Sequence, residues 1–209
     1  MGHDVSNGPG WTLEEALSTP HAPGMSGSKR RASYEDLETI PPNRVGEIVD
    51  GELYVSPRPA SPHFRAASRL GMLLGGPFDL GEGGPGGWLI ADEPELHLGD
   101  DALVPDLAGW RRERMPEMPH AAAITLTPDW VCEVLSPSTA VLDREKKMQA
   151  YAREGVRYLW LVDPLQKSLE AYRLEGRRWT RQGQWSGDAT VHAEPFTALP
   201  LKLAPLWER

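Results

Sequence analysis

The chain has 209 residues, with 30 acidic against 22 basic side chains. The formal charge of −8 excludes coating of nucleic acid by bulk charge, though not contact through a metal and a local basic patch. Glycine and proline supply 21 and 20 residues, below the roughly 25–30% of low-complexity chains, and 40% hydrophobic content with eight tryptophans suffices for a core. A lone Cys132 excludes a disulfide framework and a cysteine-based zinc site, and with no signal peptide and no apolar run near a membrane span's roughly 20 residues, the expectation is a cytoplasmic protein without a membrane partner.

Residues 1–32 read as a flexible N-terminal extension, poor in bulky apolar groups and carrying Pro9, Pro20 and Pro23. Thr12 with Glu15 marks one short helix there, and the triplet Lys29-Arg30-Arg31 reads as a solvated charge run. Residues 33–209 form the expected folded domain. Ser33-Tyr34-Glu35-Asp36 opens a short helix that Pro41-Pro42 must end. Two apolar runs over 44–55 flank Asp50-Gly51, a strong hairpin signal. Phe64, Ala67, Leu70, Gly71 and Leu74 recur at helical spacing over 61–74, with Gly75-Gly76-Pro77 as the stop. Residues 79–87 hold five glycines and read as a mobile loop. Trp88 to Leu98 and Ala102 to Trp110 predict two strands joined at Gly99-Asp100-Asp101, followed by an irregular stretch from Arg111 to Ile124. Trp130 to Leu135 and Tyr158 to Val162 are continuous apolar runs, the pattern of strands buried on both faces. The helix between them, capped at Ser138 or Thr139 and ending at Gly155, requires a parallel crossover. A last hairpin, Leu169–Leu174 with Arg178–Trp185, extends the sheet. The expected architecture is an α/β fold of the mixed α+β kind: a mixed sheet with a helix on each face and added N- and C-terminal hairpins.

Three side chains carry the chemistry. Glu133 sits inside the apolar run Trp130–Leu135, where an unpaired carboxylate costs several kcal/mol. A cation, a buried ion pair or protonation must compensate, and on this feature alone a buried pair accounts for it as well as a metal. Asp106 lies in a second apolar run, after a proline that interrupts the ladder, where it either accepts backbone donors or shares a hard cation with Glu133. Lys147 stacks with Asp143 and Tyr151 on one helix stripe, and taken alone it reads as a surface i,i+4 pair with Asp143.

Val104-Pro105-Asp106, Asp129 to Thr139, Asp143-Arg144 with Lys147 and Tyr151, and Gly155 to Pro164 closely resemble a bacterial endonuclease family. That family is abundant in cyanobacteria and Deinococcus-like bacteria, was formerly a domain of unknown function, and belongs to the PD-(D/E)XK, or restriction-endonuclease-like, superfamily. Glu47 to Leu53 and the helix entry at His63 resemble its opening, so the likeness covers roughly residues 33–175. The resemblance implies a restriction-endonuclease-like core and a DNA endonuclease that hydrolyses phosphodiesters with a metal-activated water. Asp106 and Glu133 would hold Mg2+ (or Mn2+). The superfamily's lysine normally lies two residues after the second acid, where this chain has Leu135, and the resemblance places it instead at Lys147 on the following helix. Glu47 would join the catalytic set and complete the metal shell, and His63 takes a secondary place, supporting phosphate or water or serving the structure alone. Apart from the resemblance, Asp92, Glu93 and Glu95 fall on a strand whose alternation points some of them to solvent, the default for all three, with Glu95 the one to watch as a further ligand. DNA is the implied partner, and a homodimer follows because cutting both strands together takes two centres. The alternative is an inactive nuclease fold kept as a nucleic-acid-binding or dimerisation module, motivated by Leu135 and the acidic charge. Arg111, Arg112 and Arg114 suit either phosphate contact or an exposed charged turn. Ser136 and Ser138 lack the Gly-x-Ser-x-Gly setting of a nucleophile.

Overall fold

The computed structural model describes residues 30–208. Chain contacts separate Met1–Arg30 from a compact unit, Arg31–Arg209, that holds every element below. The expected helix near Thr12 and most of the expected extension lie outside the described residues.

Ser33 opens α1 (Tyr34–Glu38), its backbone N–H donating to Asp36 Oδ2 at 2.8 Å in the capping box read from the sequence. Strands β1 (Arg44–Val49) and β2 (Glu52–Pro57) follow, joined by Asp50 and Gly51 at φ 54° and 77°, the left-handed pair that a tight hairpin requires. The buried face of α2 (Ser61–Leu74) is His63, Ala66, Leu70 and Leu74. That face is rotated from the expected stripe: Phe64 is 52% exposed and His63 turns inward, toward Asp106. Gly75-Gly76-Pro77 does not end the helix either. The chain continues through a π-helical turn, Gly75–Leu80, closed by Gly81 at φ 73°. A proline ring clashes with the carbonyl four residues back in an α-helix, and the wider turn relieves that clash.

The two long strands expected over 88–110 are four: β3 (Trp88–Asp92), β4 (Leu96–Leu98), β5 (Asp101–Leu103) and β6 (Leu107–Arg111). Pro94 and Pro105 lack the amide that a ladder needs, and Glu93 turns the chain at φ 45°. Each long run therefore changes sheets partway. Its turn-proximal half joins the first hairpin in a four-stranded sheet of order β2-β1-β5-β4. The outer halves enter a six-stranded sheet with β7 (Trp130–Val134), β8 (Tyr158–Asp163), β9 (Ser168–Glu175) and β10 (Arg178–Ser186), in the order β10-β9-β8-β7-β6-β3. The pair β7–β8 is parallel and its neighbours are antiparallel, which makes the sheet mixed. The crossover helix between β7 and β8 is α3 (Ala140–Leu142), a π-helical turn (Asp143–Lys147) and α4 (Met148–Arg153) in unbroken succession. After β10 come β11 (Thr190–Val191), β12 (Leu201–Lys202) and α5 (Ala204–Trp207), elements too short to show a period in the sequence.

Alternation along β7 sorts the core into two layers. Trp130, Cys132 and Val134 pack with α2 through Ala66, Leu70 and Leu74. Phe196, from the chain after β11, closes this layer with its ring 4.8 Å from Trp88, 4.9 Å from Trp130 and 5.6 Å from Trp160. Val131 and Leu135 point the other way, to Leu142, Ala150 and Tyr151 of the crossover and to Val49, Leu96 and Leu103 of the smaller sheet. A helix on each face of a mixed sheet is the architecture the sequence predicts.

Candidate functional site

Glu133 shares the face of β7 with Val131 and Leu135, so it projects into the layer between the six-stranded sheet and the crossover helix. There it meets Lys147. The ammonium lies 2.9 Å from Glu133 Oε1, 2.7 Å from Glu47 Oε1 and 3.8 Å from Asp143 Oδ1, and donates to the Val104 carbonyl at 3.3 Å. Lys147 is 2% exposed, so the surface pair with Asp143 expected from spacing alone is corrected: Asp143 is its most distant carboxylate, and the whole group is buried. The π-helical turn that begins at Asp143 and ends at Lys147 delivers the lysine to this position. Tyr151, one turn on, donates its hydroxyl to Glu133 Oε1 at 2.6 Å. Glu47 comes from β1 in the smaller sheet and is held by the Val104 amide at 2.8 Å.

Asp106 sits in the break between β5 and β6. Its Oδ2 accepts the backbone N–H of Val134 at 2.7 Å, which ties it to the residue next to Glu133. Its Oδ1 is 3.3 Å from His63 Nε2, and the Nδ1 of that buried histidine has no partner among the described residues. Asp106, Glu133, Lys147, Glu47, His63 and Asp143 all line one cleft of about 370 Å³. Glu93 and Glu95 stand at its rim. Glu95 is engaged by His97, whose Nε2 is 2.7 Å from Oε1, and that ring packs edge-on to Tyr34 of α1.

The electrostatics follow from one buried ammonium serving three carboxylates. Burial pulls Lys147 down, but Glu133 and Glu47 outweigh it and hold the ammonium charged, well above its ordinary range. Burial pushes Glu133 well up; Lys147 opposes this, and Asp143, Asp106 and Glu47 add to it. Asp143 is pushed up from 3.8 to about 6, again chiefly by burial. The floor is thus short of positive charge, and its donors are hard oxygens, the set that suits a divalent cation of the magnesium type. Among the described residues no group of three or more His, Cys, Asp or Glu side chains is gathered as a cation cage. Magnesium needs none, since it is commonly held by one or two carboxylates with water and phosphate completing the shell. On donor chemistry and charge, Asp106 and Glu133 fit such an ion.

Other candidates resolve as structural. Arg112 pairs with Asp79 at 2.8 Å, Arg114 pairs with buried Asp129 at 2.8 Å, and Arg111 lies 4.4 Å over the Trp88 ring. Ser136 hydrogen-bonds Ser138 and Thr139 at the start of the crossover. The cleft also contains two arginines, Arg44 and Arg58, that no motif singled out. The signal available in the sequence was their flanks, Pro41-Pro42-Asn43-Arg44 and Pro57-Arg58-Pro59.

No curated protein matches the chain. Among solved structures, the crystal structure at 1.96 Å of "a putative nuclease belonging to DUF820" from Anabaena variabilis ATCC 29413 is similar, with a TM-score of 0.67, 22% identity, and coverage of 83% of this chain and 95% of that one. At that identity the likeness speaks to fold, and the fold is restriction-endonuclease-like. The model of the family Uma2, described as "Putative restriction endonuclease", matches residues 31–204, which include every residue of the cleft floor. A match over that much of the sequence settles descent: the chain belongs to the Uma2 family.

Proposed function

We propose that the protein is a metal-dependent DNA endonuclease whose centre is the cleft floor at Asp106, Glu133, Lys147 and Glu47. The observation that carries this reading is the meeting of two carboxylates and a lysine from separate motifs in a single cleft, within a chain of a nuclease family. Asp106 and Glu133 are the metal ligands of choice, for Mg2+ or Mn2+. When bound, such an ion supplies Lewis-acid polarisation of a phosphoryl oxygen and lowers the pKa of a coordinated water. The protein's own residues do the rest. The Val134 amide fixes Asp106 by one oxygen, and Tyr151 and Lys147 fix Glu133 by Oε1. Lys147, kept charged by its carboxylate neighbours, places a positive charge where an attacking water or a phosphate oxygen needs it. Leu135 occupies the usual lysine position but is packed in the core, so the ammonium on the crossover helix takes that role. Glu47 holds Lys147 from the opposite sheet.

In this reading residues 33–209 are the nuclease domain, working in the cytoplasm as a homodimer so that two centres address two strands. The test is plasmid nicking by wild type and Asp106→Ala, with and without Mg2+, beside calorimetric titration of Mg2+ into wild type and Glu133→Gln. Nicking by the wild type alone, requiring Mg2+, with binding lost in Glu133→Gln, is the expected result. Nicking that survives Asp106→Ala, or a wild type that binds no Mg2+, overturns the reading, and the second outcome leaves an inert nuclease fold.

A further inference from the structure

Six carboxylates line the cleft: Glu47, Glu93, Glu95, Asp106, Glu133 and Asp143. Of the three Lys and Arg residues that face them, Lys147 is buried and consumed by Glu47 and Glu133. Among the described residues that line the cleft, this leaves Arg44 and Arg58 for a polyanion at the mouth. The fold brings them together, because Arg44 begins β1 and its Cα partner across the hairpin is Pro57, next to Arg58. Glu47 follows Arg44 by three residues, about 10 Å along the strand and on the opposite face of its pleat, so Arg44 lines the cleft from the start of β1, apart from the floor. Arg44 is exposed and makes no ion pair among the described residues. Arg58 is 55% exposed and loosely held, 3.6 Å from a Glu93 that is itself 51% exposed and 3.4 Å from the Pro42 carbonyl. An exposed pair of that length is worth about 0–1 kcal/mol. Prolines stiffen both backbones: Pro41 and Pro42 precede Arg44, and Arg58 lies between Pro57 and Pro59, where a following proline confines it to extended dihedrals. The stiff backbones fix where the two side chains emerge, and their ordering on a phosphate is left to binding itself.

We propose that Arg44 and Arg58 form the substrate-docking site, binding phosphodiester groups of the nucleic-acid strand that flank the one over the floor, with Arg58 leaving Glu93 to do so. The site rests on the nuclease reading above and supplies its substrate contacts. It also reassigns the role the charge-dense run Arg111–Arg114 seemed suited to, since those three side chains are already committed to Asp79, Asp129 and Trp88.

The experiment is fluorescence anisotropy of a fluorescein-labelled 20-mer, as duplex and as single strand, in a Glu133→Gln background that prevents turnover. Titrations run from 50 to 200 mM NaCl. Arg44→Ala and Arg58→Ala should each weaken binding roughly tenfold and reduce the slope of log K against log[salt] by about 0.9 on duplex or about 0.7 on single strand. Arg177→Ala, an exposed arginine at the β9–β10 turn, is the control and should change neither. Glu93→Gln should tighten binding, and that gain should shrink when Arg58→Ala is already present. Unchanged slopes in both arginine variants, a control that falls equally, or a Glu93→Gln gain independent of Arg58 overturns the proposal. Plasmid nicking by the otherwise unaltered chain, run in parallel, separates the two failures: nicking with unchanged slopes sinks the docking site alone, and no nicking sinks the nuclease reading.

Discussion

Asp143→Asn isolates the electrostatic cost of the cleft floor. In the folded chain this carboxyl titrates at about 6 in place of the ordinary 3.8, because burial outweighs the pull of Lys147 3.8 Å away. That displacement of about 2 pH units corresponds to about 3 kcal/mol. Its sign is fixed by which state holds the proton. Below about pH 4 both folded and unfolded chains are protonated there and the residue costs nothing. Between 4 and 6 the folded chain keeps a proton that the unfolded chain has released, so stability falls as pH rises, and above about 6 the full cost is present. Asparagine reproduces the neutral form and carries no such slope. Urea denaturation of metal-free wild type and Asp143→Asn at pH 4, 5, 6 and 7.5 should therefore give curves whose separation grows with pH. The variant gains about 3 kcal/mol on the wild type across the range. Titrating groups remote from the cleft shift both proteins and cancel in the difference, whereas Glu133, which Asp143 pushes up, is relieved in the variant as well. A separation that is constant with pH, or that narrows as pH rises, would refute the account of Asp143 as a buried acid displaced upward.

Three further outcomes follow from packing and charge. Lys147→Ala strands Glu47 and Glu133 in the interior and should cost about 3–5 kcal/mol; adding Glu133→Gln should recover part of that loss, read from the same urea transitions. Gly109→Ala places a methyl 3.1 Å from Trp130 and 3.3 Å from Trp88, two buried rings without room to retreat, and should lower stability by about 1–3 kcal/mol in thermal melts. Phe196→Ala empties the centre of the aromatic layer and should cost about 3–5 kcal/mol, with a loss of near-ultraviolet circular dichroism from the tryptophans around it.

Elements whose signal is local were legible in the sequence. Asp50-Gly51 demanded a hairpin through its own dihedrals, and the apolar runs at 130–135 and 158–162 could only be strands covered on both sides. Glu133 was conspicuous for the same reason, a charge among residues that exclude water. What escaped was anything set by two segments at once. Lys147 stands in Asp143-Arg144-Glu145-Lys146-Lys147, as solvated a string as the chain contains, and its burial depends on a π-helical turn and on partners from two sheets. The inward turn of His63 likewise depends on Asp106, which is 43 residues away in sequence. Arg111, Arg112 and Arg114 are dense in the sequence, yet their partners, Trp88, Asp79 and Asp129, come from other segments, and Arg44 and Arg58 are single residues among prolines with no motif around them.

The breaks at 93–95 and 104–106 have a mechanical consequence. They are the two places where a continuous run passes from the six-stranded sheet into the four-stranded one, and Asp106 is part of the second. Glu47 rides on the smaller sheet, Glu133 on the larger, and Lys147 bridges them. A small slide of one sheet past the other would stretch the Lys147–Glu47 contact while leaving Lys147 and Glu133 in register. The floor of the cleft is thereby the joint between the two sheets, closed by one carboxylate, Glu47, which takes both the Lys147 ammonium and the Val104 amide.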